Sequence, residues 1–271
     1  MKKKIVLGLM AVVIFLCTPP AATLRSMCVM SLYSAWCGRD SIEKREGFRL
    51  EIPGGMRTGE RDWYPLSLLY DASEEFAWRT GTDTRLNIYY TFPAYDLWKG
   101  CSMLYDTDSP YYSSFYGAYL VQGEEIWGFS SEGEIALGEV AQILRFDLFE
   151  LVLDDLGLPK EQETFSWELT ENPEKISYIG WEDWTQVDAR ITVNGAAHSP
   201  GRFCLSYLQY GAPVQEVSEP YAVTQLYGRL IGRYFPEWAT SIFFYILTAQ
   251  PEALEQCDRR ILSQSRLISG K

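Results

Sequence analysis

Histidine is nearly missing from this chain: its 271 residues include one, His198. A serine or cysteine nucleophile activated by imidazole would depend on that single ring. Asn194-Gly195 and Ser199-Pro200-Gly201 flank it, and both are turn signals. DARITV and RFCLSYLQY on either side read as strands, which puts His198 at an exposed hairpin tip. A general base needs held geometry and an orienting partner, and a turn tip supplies neither. A metal site built on it would have to draw on carboxylates or cysteines at ligand spacing, and no such spacing occurs. No catalytic residue, metal or cofactor is therefore expected.

Other chemistries are excluded in the same way. No Cys-x-x-Cys occurs, so neither a redox motif nor a zinc ribbon is indicated. GFSSEG at 128–133 has one residue too many for a nucleophile elbow. Ser41 and Lys44 match Ser-x-x-Lys, but no Ser-Asp-Asn or Lys-Thr-Gly follows. Phosphate-binding and dinucleotide glycine fingerprints are missing. Asp106 and Asp108 open like a calcium loop that lacks its glycine and closing glutamate. Basic patches are missing from a chain of formal net charge −12, which argues against nucleic acid and against anionic lipid.

Long apolar runs are also missing beyond the N-terminus. There, Lys2 to Lys4 precede an apolar stretch from Ile5 to Cys17, then Pro19, Pro20, Ala21 and Ala22. A basic start, a short apolar core and small residues read as a secretory signal over residues 1–22. The alternative is an uncleaved N-terminal anchor, the one membrane segment the sequence would allow. Neither Cys17 nor Cys28 follows the small residue of a lipoprotein signal. Residues 23–46 then read as a leader or linker, and 47–271 as one domain with possible halves 47–158 and 159–271. Export permits disulfides, and Cys28 with Cys37 is the expected pair. Cys204 and Cys257 read as small core residues.

Along the domain the hydrophobic period alternates between strand and helix. Strands are expected at 48–52, 63–70, 85–92, 115–121, 125–129, 165–169, 176–179, 185–193, 202–210 and 240–247, with 223–231 ambiguous. Residues 71–84 read as a loop with a helical turn at 74–78, and 122–124 as the turn of a hairpin. A long helix is expected over 135–156, with Val140, Leu144, Leu148, Leu151 and Val152 on its apolar face. Glu139, Asp147, Glu150 and Asp154 form its solvated face. A second helix is expected over 251–267, with Leu254, Cys257, Ile261 and Leu262 turned inward. Strand groups each closed by one helix give an α+β fold, with a mainly antiparallel sheet and two packed helices. Tyr116-Gly117 and Tyr227-Gly228 suggest two pseudo-repeated halves.

EGFRLEIPGG followed by RLNIYYTF resembles the start of the Mog1/PsbP-like α/β/α sandwich superfamily, and SIFFYILTAQPEALEQCDRRILSQS is similar to its final strand and helix. The likeness covers roughly a third of the chain. It implies a sandwich fold and, since that superfamily holds mostly non-catalytic accessory and binding proteins, a binding role. Its binding residues find no matching motif here.

Aromatic residues are abundant. Trp181-Glu182-Asp183-Trp184, with Tyr111, Tyr112 and Tyr116 of SPYYSSFYGAY, are the candidate binding residues. Such rings combine apolar area with a polar handle and suit a protein or glycan partner; they also suit a sheet interior. The reading is thus an exported, non-catalytic envelope or extracellular protein that binds a protein or glycan through an aromatic-rich surface. The alternative is a secreted hydrolase of two-carboxylate type, with Glu182 and Asp183 in a cleft opposite another acid. Exposure of those acids on a turn would favour the binder.

Overall fold

The computed structural model describes residues 2–18, 21–94, 101–197, 206–213 and 219–270. His198 and Cys204 lie outside them, as do residues 202–205 of the strand expected at 202–210.

Two N-terminal helices, α1 (Lys2–Leu16) and α2 (Ala22–Cys37), lead into a short α3 (Ile42–Glu46), strand β1 (Phe48–Glu51) and a single turn, α4 (Gly55–Thr58). Then come β2 (Leu68–Asp71), α5 (Ser73–Thr80), β3 (Arg85–Thr91) and β4 (Phe115–Gln122). A long helical segment follows as α6 (Leu137–Phe146), a π-helical stretch (Asp147–Val152) and α7 (Leu153–Leu156). The remainder is β5 (Phe165–Leu169), β6 (Glu174–Tyr178), β7 (Trp181–Asn194), α8 (Ser206–Tyr210), β8 (Val223–Phe235), β9 (Thr240–Thr248), α9 (Pro251–Arg260) and β10 (Arg266–Ser269).

The main sheet is antiparallel in the order β2-β3-β4-β9-β8-β7-β5, with β6 also on β7. Two meanders, β2–β3–β4 and β7–β8–β9, meet where β4 pairs with β9, Tyr119 opposite Phe243. Every residue of β9 is buried. Phe243, Tyr245 and Leu247 join the core on one face, while Ile242, Phe244 and Ile246 join the core on the other. A central strand covered on both sides has no polar positions to alternate with. The first face carries the long helix through Val140, Ile143, Phe146, Phe149, Val152 and Leu156. The second carries α9, α3 and β1 through Leu254, Cys257, Ile42, Phe48 and Leu50. The fold is α+β with helices on both faces of a mainly antiparallel sheet.

Several expectations change. Two helices are too few; α1 to α5 and α8 accompany them. The final helix stops at Arg260, because Ile261 leaves helical geometry at φ −126°. A 3₁₀ turn at Leu262–Gln264 then leads into β10, which pairs with β1, Leu267 opposite Leu50. Ile261 and Leu262 are still buried beside Leu254. Of 63–70 only β2 is a strand, while Trp63 bridges Pro93 alone. No hairpin follows β4: residues 125–129 give one isolated bridge, Phe129 with Ile135, since β3 and β9 occupy both edges of β4. Residues 206–210 are helical, 73–80 form a full helix, and 223–235 are strand throughout.

Residues 23–46 pack against the rest of the structure, with Ser26, Met30 and Ile42 buried. α2 lies along β2, which would otherwise be an open sheet edge. Ser34 Oγ accepts from the Leu69 amide at 2.7 Å, and Met30 packs on Tyr64 and Leu68. Cys28 and Cys37 both lie on α2, nine residues apart, or roughly 13 Å along a helix. That is too far for a disulfide, and both thiols are free. In α1 the side chains Ile5 to Phe15 are exposed. Among the described residues, no helix is long and apolar enough to cross a membrane.

Candidate functional site

The strand register separates the expected aromatic surface into two places. Thr185 lies level with Gly232, Phe243 and Tyr119, while Ala189 lies level with Gly228, Leu247 and Phe115. Trp181 to Trp184 therefore approach one end of the sheet, and Tyr111 and Tyr112 precede β4 at the other.

Two of those aromatics are core residues. Trp184 is fully buried against Tyr178, Phe235 and Phe244. Tyr116 is fully buried edge-on to Trp63, and its hydroxyl donates to the Pro53 carbonyl at 2.7 Å. Neither ring can be offered to a partner. Trp181 is half-buried beneath the Arg233 guanidinium, 5.4 Å from its ring centre. Tyr111 and Tyr112 are also half-buried, and the Tyr111 hydroxyl donates to Asp62 at 3.1 Å. Glu182 and Asp183 are exposed, with Asp183 at φ +61°. Glu182 accepts from the Ser177 hydroxyl, and its backbone carbonyl accepts from Arg233. Neither acid is held in a cleft.

The structure opens a cleft elsewhere. Between α6 and β5, one face of β7 and β8 is partly uncovered. A small cavity of about 70 Å³ lies in that gap. Leu137, Val140, Ala141 and Leu144 of α6 form one wall, and Trp167 and Leu169 of β5 form the other. These last two are more than a third exposed and share one face of β5 by the period of two. Ala189 of β7 and Leu230 of β8 lie in the floor. At Gly228 a Cβ would stand 2.8 Å from Ile191 Cδ1, a side-chain tip that would have to shift. Arg229 borders the cleft, but its guanidinium is held by Asp188, Glu255 and Asp258, each at 2.7 Å.

At the deep end Tyr119 and Tyr245 stack at 4.3 Å between ring centres. Both hydroxyls are already committed. Tyr245 donates to the Tyr89 carbonyl at 2.8 Å, and Tyr119 donates to Asp147 at 2.6 Å. Tyr90 donates to the other Asp147 oxygen. Asp147 was expected on the solvated helix face with Glu139, Glu150 and Asp154, but it is fully buried. The wider π turn that begins at this residue breaks the 3.6-residue spacing on which that expectation rested. Burial pushes its carboxyl up to about 7, against the pull of the two tyrosine hydroxyls. The one sequence signal is its place inside the apolar run FDLF.

The cleft thus has apolar walls and spoken-for hydroxyls. It offers shape and desolvation to an apolar group and no acid–base pair. Among the described residues no group of three His, Cys, Asp or Glu side chains could hold a metal ion. No protein-family model matches the sequence, and no curated protein and no solved structure is significantly similar to it.

Proposed function

We propose that this chain is an exported, non-catalytic protein of the envelope or extracellular space, and that it holds an apolar side chain of a partner protein in the cleft between α6 and β5–β7–β8. One observation carries the reading: an open cleft whose walls are apolar, with Trp167 and Leu169 exposed at its rim. Exposed apolar surface beside a concave site is the usual mark of a recognition surface. A glycan is the weaker choice, since hydroxyl-rich ligands need donors and acceptors that these walls do not present. The two-carboxylate hydrolase is not proposed, because Glu182 and Asp183 stand exposed at the start of β7.

The test is capture of partners from the native envelope with wild type and with Ala189→Arg. That substitution lays a long cation across the cleft floor from a half-buried position. A partner that rebinds the wild type when purified, and loses the Ala189→Arg and Trp167→Ala forms, supports the proposal. Binding that both variants leave intact, or binding to a glycan array alone, removes it.

A further inference from the structure

A second surface lies on the other flank of the long helix. Among the described residues the two most exposed tryptophans are Trp78, at 83 %, and Trp36, at 61 %. Tryptophan is mostly buried in folded proteins, and exposed indoles are the commonest anchors of protein interfaces. The two rings border two adjoining shallow clefts. One is lined by Trp36, Tyr33 and Tyr70, the other by Trp78 and Phe146, and Glu74 and Glu75 line both. On α5, Glu74 and Glu75 stand four and three residues before Trp78, the spacing that places side chains on one helix face.

Among the described residues Glu74 and Glu75 form no ion pair, whereas Asp40 is held by Arg45 and Arg85. Arg79 is taken by Glu150 at 2.9 Å, and Lys160 reaches the same carboxylate. Asp71 accepts hydrogen bonds from Ser73 and Asn87, and Glu75 accepts from Tyr70 at 3.4 Å. Arg39 is the other cation lining the clefts. The Tyr33 hydroxyl reports the local field: burial first, then Cys37 and the Glu75 and Asp155 carboxylates, push it up to about 12. Carboxylates beside exposed indole faces suit a cation, which pairs with the first and lies over the second. An uncharged apolar partner would leave Glu74 and Glu75 desolvated without compensation.

We propose that Trp36, Trp78, Glu74 and Glu75 form a docking surface for a cationic protein segment, whose lysine or arginine side chains pair with the carboxylates and lie over the indoles. The inference does not rest on the cleft under α6.

The test is fluorescence anisotropy of a labelled oligo-arginine peptide with the full chain, at low and at physiological salt. Glu74→Gln/Glu75→Gln and Trp78→Ala should each weaken binding about tenfold, the size of an interface anchor. Glu124→Gln/Glu125→Gln makes the same change in net charge at exposed positions elsewhere and should change it by less than about twofold. All sites are solvent-facing, so circular dichroism should match wild type. Equal weakening by both double variants would reduce the effect to net charge and overturn the proposal. So would unchanged binding by Trp78→Ala, or tighter binding of an uncharged apolar peptide. Ala189→Arg should leave peptide binding as it was, which separates this surface from the cleft.

Discussion

Tyr119 and Asp147 lie on a central strand and on the helix above it, and the tyrosine hydroxyl donates to the carboxylate at 2.6 Å in a fully buried setting. Tyr90 donates to the second oxygen, and among the described residues no cation joins the cluster. A carboxylate held only by neutral donors is costly to ionise in a dry interior.

Stability should therefore fall as pH rises. The folded carboxyl binds its proton up to about pH 7, whereas its ordinary value is 3.8. Between those values the native state carries the extra proton, so the contribution is full below the lower one and gone above the upper one. Buried Glu43, also pushed up by desolvation, adds in the same sense. Asp147→Asn keeps one acceptor and gains a donor, so its denaturation midpoint should vary less with pH than that of wild type across this window. Parallel profiles for the two proteins would show that Asp147 does not titrate there.

At the other face, Ile261→Ala should destabilise by about 2 to 5 kcal/mol through lost transfer energy and the cavity left behind. The side chain is 1 % exposed, packed with Leu254 and Leu262. Arg259, paired with Glu255 at 3.5 Å and largely in solvent, should tolerate alanine within about 0.5 kcal/mol. Equal thermal shifts for both variants would mean that the chain after α9 does not close this core.

The N-terminal helices should separate by the same measurement. Removing residues 3–15 takes away exposed side chains and should leave the melting temperature unchanged. Met30→Ala, on α2, should lower it by loosening the cover on β2, at a cost of about 2 kcal/mol. A melting temperature insensitive to Met30→Ala would make α2 a mere appendage.

Gly117 has no room for a methyl group. A Cβ there would stand 1.7 Å from the Tyr89 carbonyl oxygen, to which the Tyr245 hydroxyl also donates. Backbone of two adjacent strands would have to part, so Gly117→Ala should destabilise by about 3 kcal/mol or more. A soluble variant with wild-type stability would refute the close approach of β3 and β4 at this point.

Much of this architecture is written locally. The alternation in Phe48-Arg-Leu-Glu, the helical stripe ending at Gly157, and the inward faces of Leu254 and Cys257 follow from period alone. The acidic balance and the single histidine likewise narrow the chemistry without coordinates. Strand order does not follow from period: only the folded chain brings β4 beside β9, more than a hundred residues later, and so stacks Tyr119 on Tyr245. The same holds for β10, whose first two residues, Arg266 and Leu267, read as the end of a helix until β1 offers an unpaired edge. Asp147 looked solvated because regular helical spacing was assumed; one π turn and two tyrosines from neighbouring strands turned it inward. The cleft is equally non-local. Its walls come from α6 and β5 and its floor from β7 and β8, so it is set by how the layers stack.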